Sequence, residues 1–292
     1  GYTGKYITRQ LLSMGKEVRT LTGHANNNQF GTRVPAFPFN FENPPELVKS
    51  LRGATALYNT YWIRFPRGKL TFHRAVENTR TLIEAAKEAG IRRFVHISIT
   101  NASKDSPLPY FRGKGIIENA LMNSGLSYAI IRPTVIFGTE DILINNIAWL
   151  LRKFPVFAVI GSGAFLLRPV FVNDVAKMTV DAGHGDHNMI VDAVGPEIFT
   201  FSEMVRLIAD TVQSRARIVN VSAQVAYLLS RLIGYVTKDV LLTRDEIKGL
   251  TSNLLATTGP PTGETLLSEW LEANAGRVGL KYASELNRHY RY

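Results

Sequence analysis

Residues 93–118 read RFVHISITNASKDSPLPYFRGKGIIE, and their reading decides the fold. The run Phe94 to Ile99 is apolar except at His96 and Ser98, the pattern of a strand buried on both faces of a parallel sheet. Pro107 and Pro109 hold the following segment extended, and a helix starting near Tyr110 places Tyr110 and Lys114 one turn apart on one face. A lysine cation one turn from a phenol favours the phenolate and lowers its pKa from about 10, which suits proton transfer near neutral pH. The same spacing also describes an ordinary helix-surface pair without chemistry.

Working outward, strands and helices alternate. Upstream, GYTGKYITRQLLSMG (residues 1–15) is a Gly-x-x-Gly turn running into an amphipathic helix that carries Ile7, Leu11 and Leu12. This is half of a phosphate-cradling fingerprint, in which backbone N–H groups at a helix start meet a pyrophosphate. An ordinary tight turn reads the same. The other half, a first strand and a first glycine, is expected to precede Gly1. Glu17 to Thr22, Ala36 to Phe41 and Ala54 to Asn59 read as strands, with helices over Pro45 to Arg52 and Phe72 to Ala89. The strand at Glu17 to Thr22 runs into Gly23, His24 and Ala25 with no acid for the adenosine ribose hydroxyls. With Arg19, His24 and Arg33 nearby, this leans towards NADP over NAD. Tyr58, Tyr61, Trp62 and Phe65 surround the end of the next strand, as cleft lining or as core.

Downstream, the Tyr110 helix stops at Gly125 and Leu126 to Ile131 gives another strand. The expected fold is α/β: a Rossmann-type doubly wound parallel sheet with a smaller, mainly helical C-terminal lobe. Residues 1–138 form the dinucleotide-binding domain, with 169–194 returning to it, and 139–168 with 195–292 form the smaller lobe. Ile142 to Phe154 reads as an apolar helix, and Phe154 to Leu167 as a Gly- and Phe-rich stretch suited to a substrate or partner surface. Thr200 with Glu203 and Thr243 with Glu246 make capping boxes.

The 292 residues are 45% hydrophobic, ample for a folded core, and contain no cysteine. Disulfides and thiol metal sites are therefore excluded, which suits a reducing, cytoplasmic setting. The longest uncharged runs, Phe154 to Leu167 and Ile218 to Ser230, are shorter than the ~18 apolar residues of a membrane span. The net charge of +10 is scattered in pairs such as Arg92 with Arg93 and Arg215 with Arg217, so nucleic-acid binding is not expected. His184 and His187 lie in a Gly-rich turn without a matching ligand cluster, so no metal site is expected.

Taken together, GYTG (1–4), ENTRTLIEAA (77–86), FVHIS (94–98), YFRGK (110–114), IIRPTVIFG (130–138) and RPVFVNDVAK (168–177) resemble the extended and atypical short-chain dehydrogenase/reductase superfamily. Within it, YFRGK, FGTED and PVFVNDVAK look most like the NmrA-like and epimerase-like group that includes the nucleotide-binding accessory subunit of respiratory complex I. The resemblance implies that Tyr110 is the general acid or base. Lys114 would hold the nicotinamide ribose, and Ser98 or Thr100 would be the hydroxyl partner. It further implies that Asn78 supports the site, that Pro133 packs beside the nicotinamide, and that Gly1, Tyr2, Thr3 and Gly4 meet the diphosphate, with His24 and Asn40 at the adenosine end. Asn40 stands where the family often has Asp. Two functions fit: an NAD(P)-dependent oxidoreductase or epimerase-type enzyme acting on a small or quinone-like molecule, or an NADP(H)-binding assembly protein with residues 142–167 as its docking surface.

Overall fold

The structure, a computed structural model, describes residues 1–23 and 29–289. It starts with α1 (Tyr2–Ser13), β1 (Thr20–Thr22), β2 (Ala36–Pro38), α2 (Pro44–Leu51) and β3 (Ala56–Asn59). Next come α3 (Phe72–Glu88), β4 (Arg93–Ile97), α4 (Pro109–Met122), β5 (Ser127–Pro133) and β6 (Ile136–Phe137). Prolines open α2 and α4, where the missing N–H costs nothing, and the Thr71 hydroxyl caps α3 by accepting from the Arg74 N–H. Then follow α5 (Leu143–Lys153), β7 (Val156–Ile160), β8 (Leu166–Leu167), β9 (Val170–Phe171), α6 (Val172–His184) and β10 (Met189–Ala193). The chain continues through β11 (Phe199–Thr200), α7 (Phe201–Thr211), β12 (Arg217–Val221), α8 (Ala223–Thr237), α9 (Arg244–Thr251), α10 (Leu267–Ala273) and α11 (Glu285–His289). The expected strands and helices are present, several a few residues shorter.

Four strands form a parallel sheet in the order β10-β5-β4-β3, with Val95 beside Ala129 and Phe94 beside both Leu57 and Tyr128. All five residues of β4 are buried, as a strand covered on both faces requires. Alternate residues serve opposite cores. Val95 and Ile97 pack with Tyr6, Ile7 and Leu11 of α1 and with Val175 and Val180 of α6. Phe94 packs with Leu47 and Leu51 of α2, Leu82 and Ile83 of α3, and Leu121 of α4. β1 and β2 form a separate parallel pair.

A third core joins α5, β7, α7 and the helices after it through Ile144, Leu151, Phe157, Val159, Met204, Ile208 and Leu250. This is the smaller, mainly helical lobe, and both expected capping boxes are formed in it. The 142–167 stretch differs from its expected role as a docking surface. Ile144, Ile147, Leu151, Phe157, Val159, Ile160, Phe165 and Leu167 are buried in the lobe's own core, because α5 supplies that core's apolar face. Arg168, 3% exposed, ties separate segments of this lobe together by donating to the carbonyls of Gly195, Thr257 and Gly259.

Candidate functional site

The carboxyl ends of β3, β4 and β5 and the start of α1 open on one cleft of about 1920 Å³. That exceeds an ordinary small-molecule pocket, because the space also runs between α1, β1 and β3, where Ile7, Leu11, Leu21 and Leu57 line it. Of the sites expected from sequence, Gly1, Tyr2, Thr3, Gly4, Ser98, Tyr110, Lys114, Asn78 and Pro133 all line this cleft. Asn40 lines a neighbouring hollow with Glu42, Lys69 and Arg74, its backbone left-handed at φ 48°, and is not part of the main cleft. Thr100 does not reach the cleft either; its buried hydroxyl lies a strand-end further on. His24 and Ala25 lie outside the described residues.

Lys114 sits at the centre. It is 3% exposed, donates from Nζ to the Ile97 carbonyl at 2.7 Å, and lies 4.8 Å over the Trp62 ring. Two glycines permit this. A Cβ on Gly113 would come within 2.7 Å of the Trp62 ring, and one on Gly115 within 2.3 Å of the backbone at Ser103 and Lys104. The sequence GKG therefore lets an indole close over one side of the lysine and the β4–α4 loop over the helix behind it. Burial lowers the Lys114 pKa to about 7, with the Glu118 carboxylate opposing that shift.

Tyr110 has different surroundings. Its ring meets Trp62, Phe72 and Phe111 edge-on at 5.7–6.0 Å. Burial among these rings, then the carboxylates of Glu246 and Glu285, push the phenol well up, with the Arg64 guanidinium opposing them. This corrects the expectation that Lys114 would draw the phenol down towards neutrality. Arg64 donates to Glu246 at 2.5 Å and to the Leu241 carbonyl at 2.8 Å, so α9 and its approach reach back to the tyrosine's side of the cleft. The partners lie 177 and 182 residues from Arg64 in the chain, and nothing local in the sequence announces them.

Beneath the cleft, His96 is fully buried and pairs its Nδ1 with the Asn59 amide at 3.0 Å. The Tyr61 N–H donates to Asn59 Oδ1, so the Asn59 amide nitrogen is the donor and His96 carries its proton on Nε2. Burial, and then Lys114, hold the imidazole pKa well below its usual value, so it stays neutral.

A bound dinucleotide fits these residues on two observations. A Cβ on Gly4 would lie 2.9 Å from Thr60 Oγ1, so the helix start stays bare for a phosphate. The Ser98 hydroxyl faces the cleft buried and without a partner. At the adenosine end, Arg19 is engaged by the carbonyls of Ser50 and Arg52, leaving exposed Arg33 as the other described cation of the expected three on the cleft wall. Among the described residues no group of acidic or histidine side chains is placed to hold a metal, and no helix is long and apolar enough to cross a membrane.

Residues 1–143 match the family described as NAD(P)H-binding. Over 275 residues the chain is 25% identical to the mitochondrial NADH dehydrogenase [ubiquinone] 1 alpha subcomplex subunit 9 of Arabidopsis thaliana, covering 87% of this chain and 68% of that protein. It is 29% identical over 134 residues to a photosystem II assembly factor of Cyanophora paradoxa, covering 45% of this chain and 42% of that one. Among solved structures, it resembles a nucleoside-diphosphate-sugar epimerase from Staphylococcus aureus with a TM-score of 0.74 at 14% identity, covering 93% and 96% of the two chains. It also resembles the Citrobacter triphenylmethane reductase complexed with NADP(H), with a TM-score of 0.73 at 16% identity over 94% and 96%. At these identities the likeness is one of fold.

Proposed function

We propose that this chain, whose residues 1–143 match the NAD(P)H-binding family, is an NmrA-like atypical short-chain dehydrogenase/reductase that holds NADP(H) as an accessory or assembly protein and is not an efficient catalyst. The observation that carries this reading is the enclosure of the pair: Lys114 is 3% exposed under the Trp62 ring with its Nζ donating to the Ile97 carbonyl, and Trp62, Phe72 and Phe111 surround the Tyr110 ring, in keeping with a phenol pKa raised by burial. Gly1, Tyr2, Thr3 and Gly4 would offer their N–H groups to the diphosphate, Lys114 and Pro133 would flank the nicotinamide ribose, and Arg33 would meet an adenosine phosphate. When bound, the nicotinamide supplies a hydride donor or acceptor. Residues 1–138 with 169–194 serve as the cofactor domain, and 139–168 with 195–292 as the lobe that meets the partner. The relatives named above include a complex I subunit and an assembly factor, which supports a protein partner. A cytoplasmic setting belongs to this proposal, although the Arabidopsis relative is named as mitochondrial.

A second reading is an oxidoreductase or epimerase-type enzyme for a small or quinone-like substrate. It is favoured by the unpartnered Ser98 hydroxyl beside Tyr110 and Lys114 on the same cleft. Ser98 would then orient a substrate oxygen and Tyr110 would move the proton. One experiment separates the two: thermal midpoints with saturating NADPH and NADH, followed by a turnover screen over carbonyl and quinone compounds with Tyr110→Phe alongside. The expected result is a larger rise with NADPH than with NADH, and no turnover. Turnover that disappears in Tyr110→Phe moves the assignment to the enzyme; no rise with either nucleotide removes both readings.

A further inference from the structure

Helix α8 is built inside out. Its buried positions are small, Ala226, Ser230 and Gly234, and a Cβ on Gly234 would come within 2.6 Å of the Asp239 carbonyl oxygen. Tyr227 packs against the lobe's core, but six other large apolar residues point the other way: Val225, Leu228, Leu229, Leu232, Tyr235 and Val236 are 45%, 59%, 37%, 57%, 87% and 76% exposed. At 100° per residue these six occupy an arc of about 120°, roughly opposite the small buried face, and run about 17 Å along the axis. A helix in a soluble fold ordinarily turns such a stripe inward, and single exposed leucines are ordinary where a continuous stripe is not.

Along the stretch of chain that contains the stripe the charge is of one sign. From Thr211 to Lys238 the chain contains no Asp or Glu and four cations, Arg215, Arg217, Arg231 and Lys238, all exposed. Arg231 stands about 40° from Tyr235 on the helical projection, at the border of the stripe. The nearest acid at the helix end, Asp239, is buried and accepts the backbone N–H groups of Glu285 and Leu286.

We propose that α8 is a membrane-surface helix that lies flat on an anionic lipid interface, its apolar stripe among the upper acyl chains and Arg231 at the phosphates. Three features select lipid as the occupant. The most exposed side chains, Tyr235 and Val236, stand proud of the surface, which a fluid layer accommodates. A tyrosine with an apolar body and a polar tip suits the headgroup level. The three arginines that the chain places between Thr211 and Arg231, with no Asp or Glu among them, are matched by an anionic surface. The inference stands independently of the cofactor reading.

The test uses the full chain and sedimentation with vesicles of phosphatidylglycerol mixed with phosphatidylcholine, or of phosphatidylcholine alone. The wild type is expected to partition onto the mixed vesicles and only weakly onto the neutral ones, with binding weakened by salt. The Leu228→Ser/Leu232→Ser double variant should lose at least about ten-fold in partitioning, and Arg231→Gln a few-fold. Both variants change exposed side chains, and an unchanged far-UV spectrum confirms their fold. Absence of wild-type binding overturns the proposal, as does equal binding to both vesicle types or by the double variant. A wild-type dimer that the double variant converts to monomer also overturns it, by assigning the stripe to a second copy of the chain.

Discussion

Helices α4 and α8 break the same rule in opposite senses. α4 turns a lysine inward, where Lys114 is 3% exposed, and uses Gly113 and Gly115 to let an aromatic ring and a loop close on it. α8 turns leucines outward and fills its inner face with Ala226, Ser230 and Gly234. In both, small residues are placed where the backbone must approach something closely, and the anomalous side chain lies where a ligand would gain by meeting it. The contrast is in what each anomaly costs. A buried lysine loses hydration free energy, expressed in its lowered pKa, whereas exposed leucines leave the fold nearly untouched and cost only solubility. Local rules fail at places kept for function, and the direction of failure indicates the chemistry of the partner.

The largest expected effect that would break this comparison comes from Gly115→Ala. The added Cβ would meet the backbone of Ser103 and Lys104 at 2.3 Å, which cannot move aside as a flexible side chain would. The loss of stability should be about 3 kcal/mol or more, read as a lowered urea midpoint. A loss below 1 kcal/mol would mean that the loop does not pack against α4 as described.

Next comes Lys114→Met. NADPH affinity measured by titration calorimetry should fall roughly 10- to 100-fold, the range of a lost charged hydrogen bond. Lys114 also gives the wild type a characteristic pH dependence. Its native pKa of about 7 lies below the ordinary lysine value of 10.5, so between those values the unfolded chain binds the extra proton and stability rises with pH. The destabilisation is fully present below pH 7. Urea midpoints of the ligand-free protein should therefore climb from neutral to alkaline pH, and that climb should flatten in Lys114→Met. Equal slopes in the two proteins would show that the lysine keeps its charge.

The smallest effect belongs to the other helix. Leu232→Ser, at a position 57% exposed, should change stability by no more than about 0.5 kcal/mol by thermal melting. A larger loss would place Leu232 in a packed core and end the contrast between the two helices.

Much of the fold was legible because it depends on local periodicity. The apolar run at 94–97, broken only by His96, the prolines that open α2 and α4, and the two capping boxes each act within a few residues. That GYTG, Lys114 and Pro133 share one cleft was legible for the same reason, since the topology gathers the elements that carry them. Tyr110 was misjudged because its electrostatic neighbours, Glu246 and Glu285, come from the far end of the chain. The 142–167 stretch was misplaced because an apolar segment looks alike whether it covers its own core or waits for another molecule. Trp62 gave no signal beyond being one aromatic among four.

By itself the sequence determined the alternation of strands and helices, the placement of a phosphate-compatible turn and a lysine at strand ends, and the two capping boxes, since these follow from interactions a few residues in reach. Only the tertiary structure decided which charges surround Tyr110, that an indole covers Lys114, and which apolar faces are left outside. Burial and Coulomb interactions depend on distance in space, and residues 64, 110, 246 and 285 become neighbours only when the two lobes close on one another.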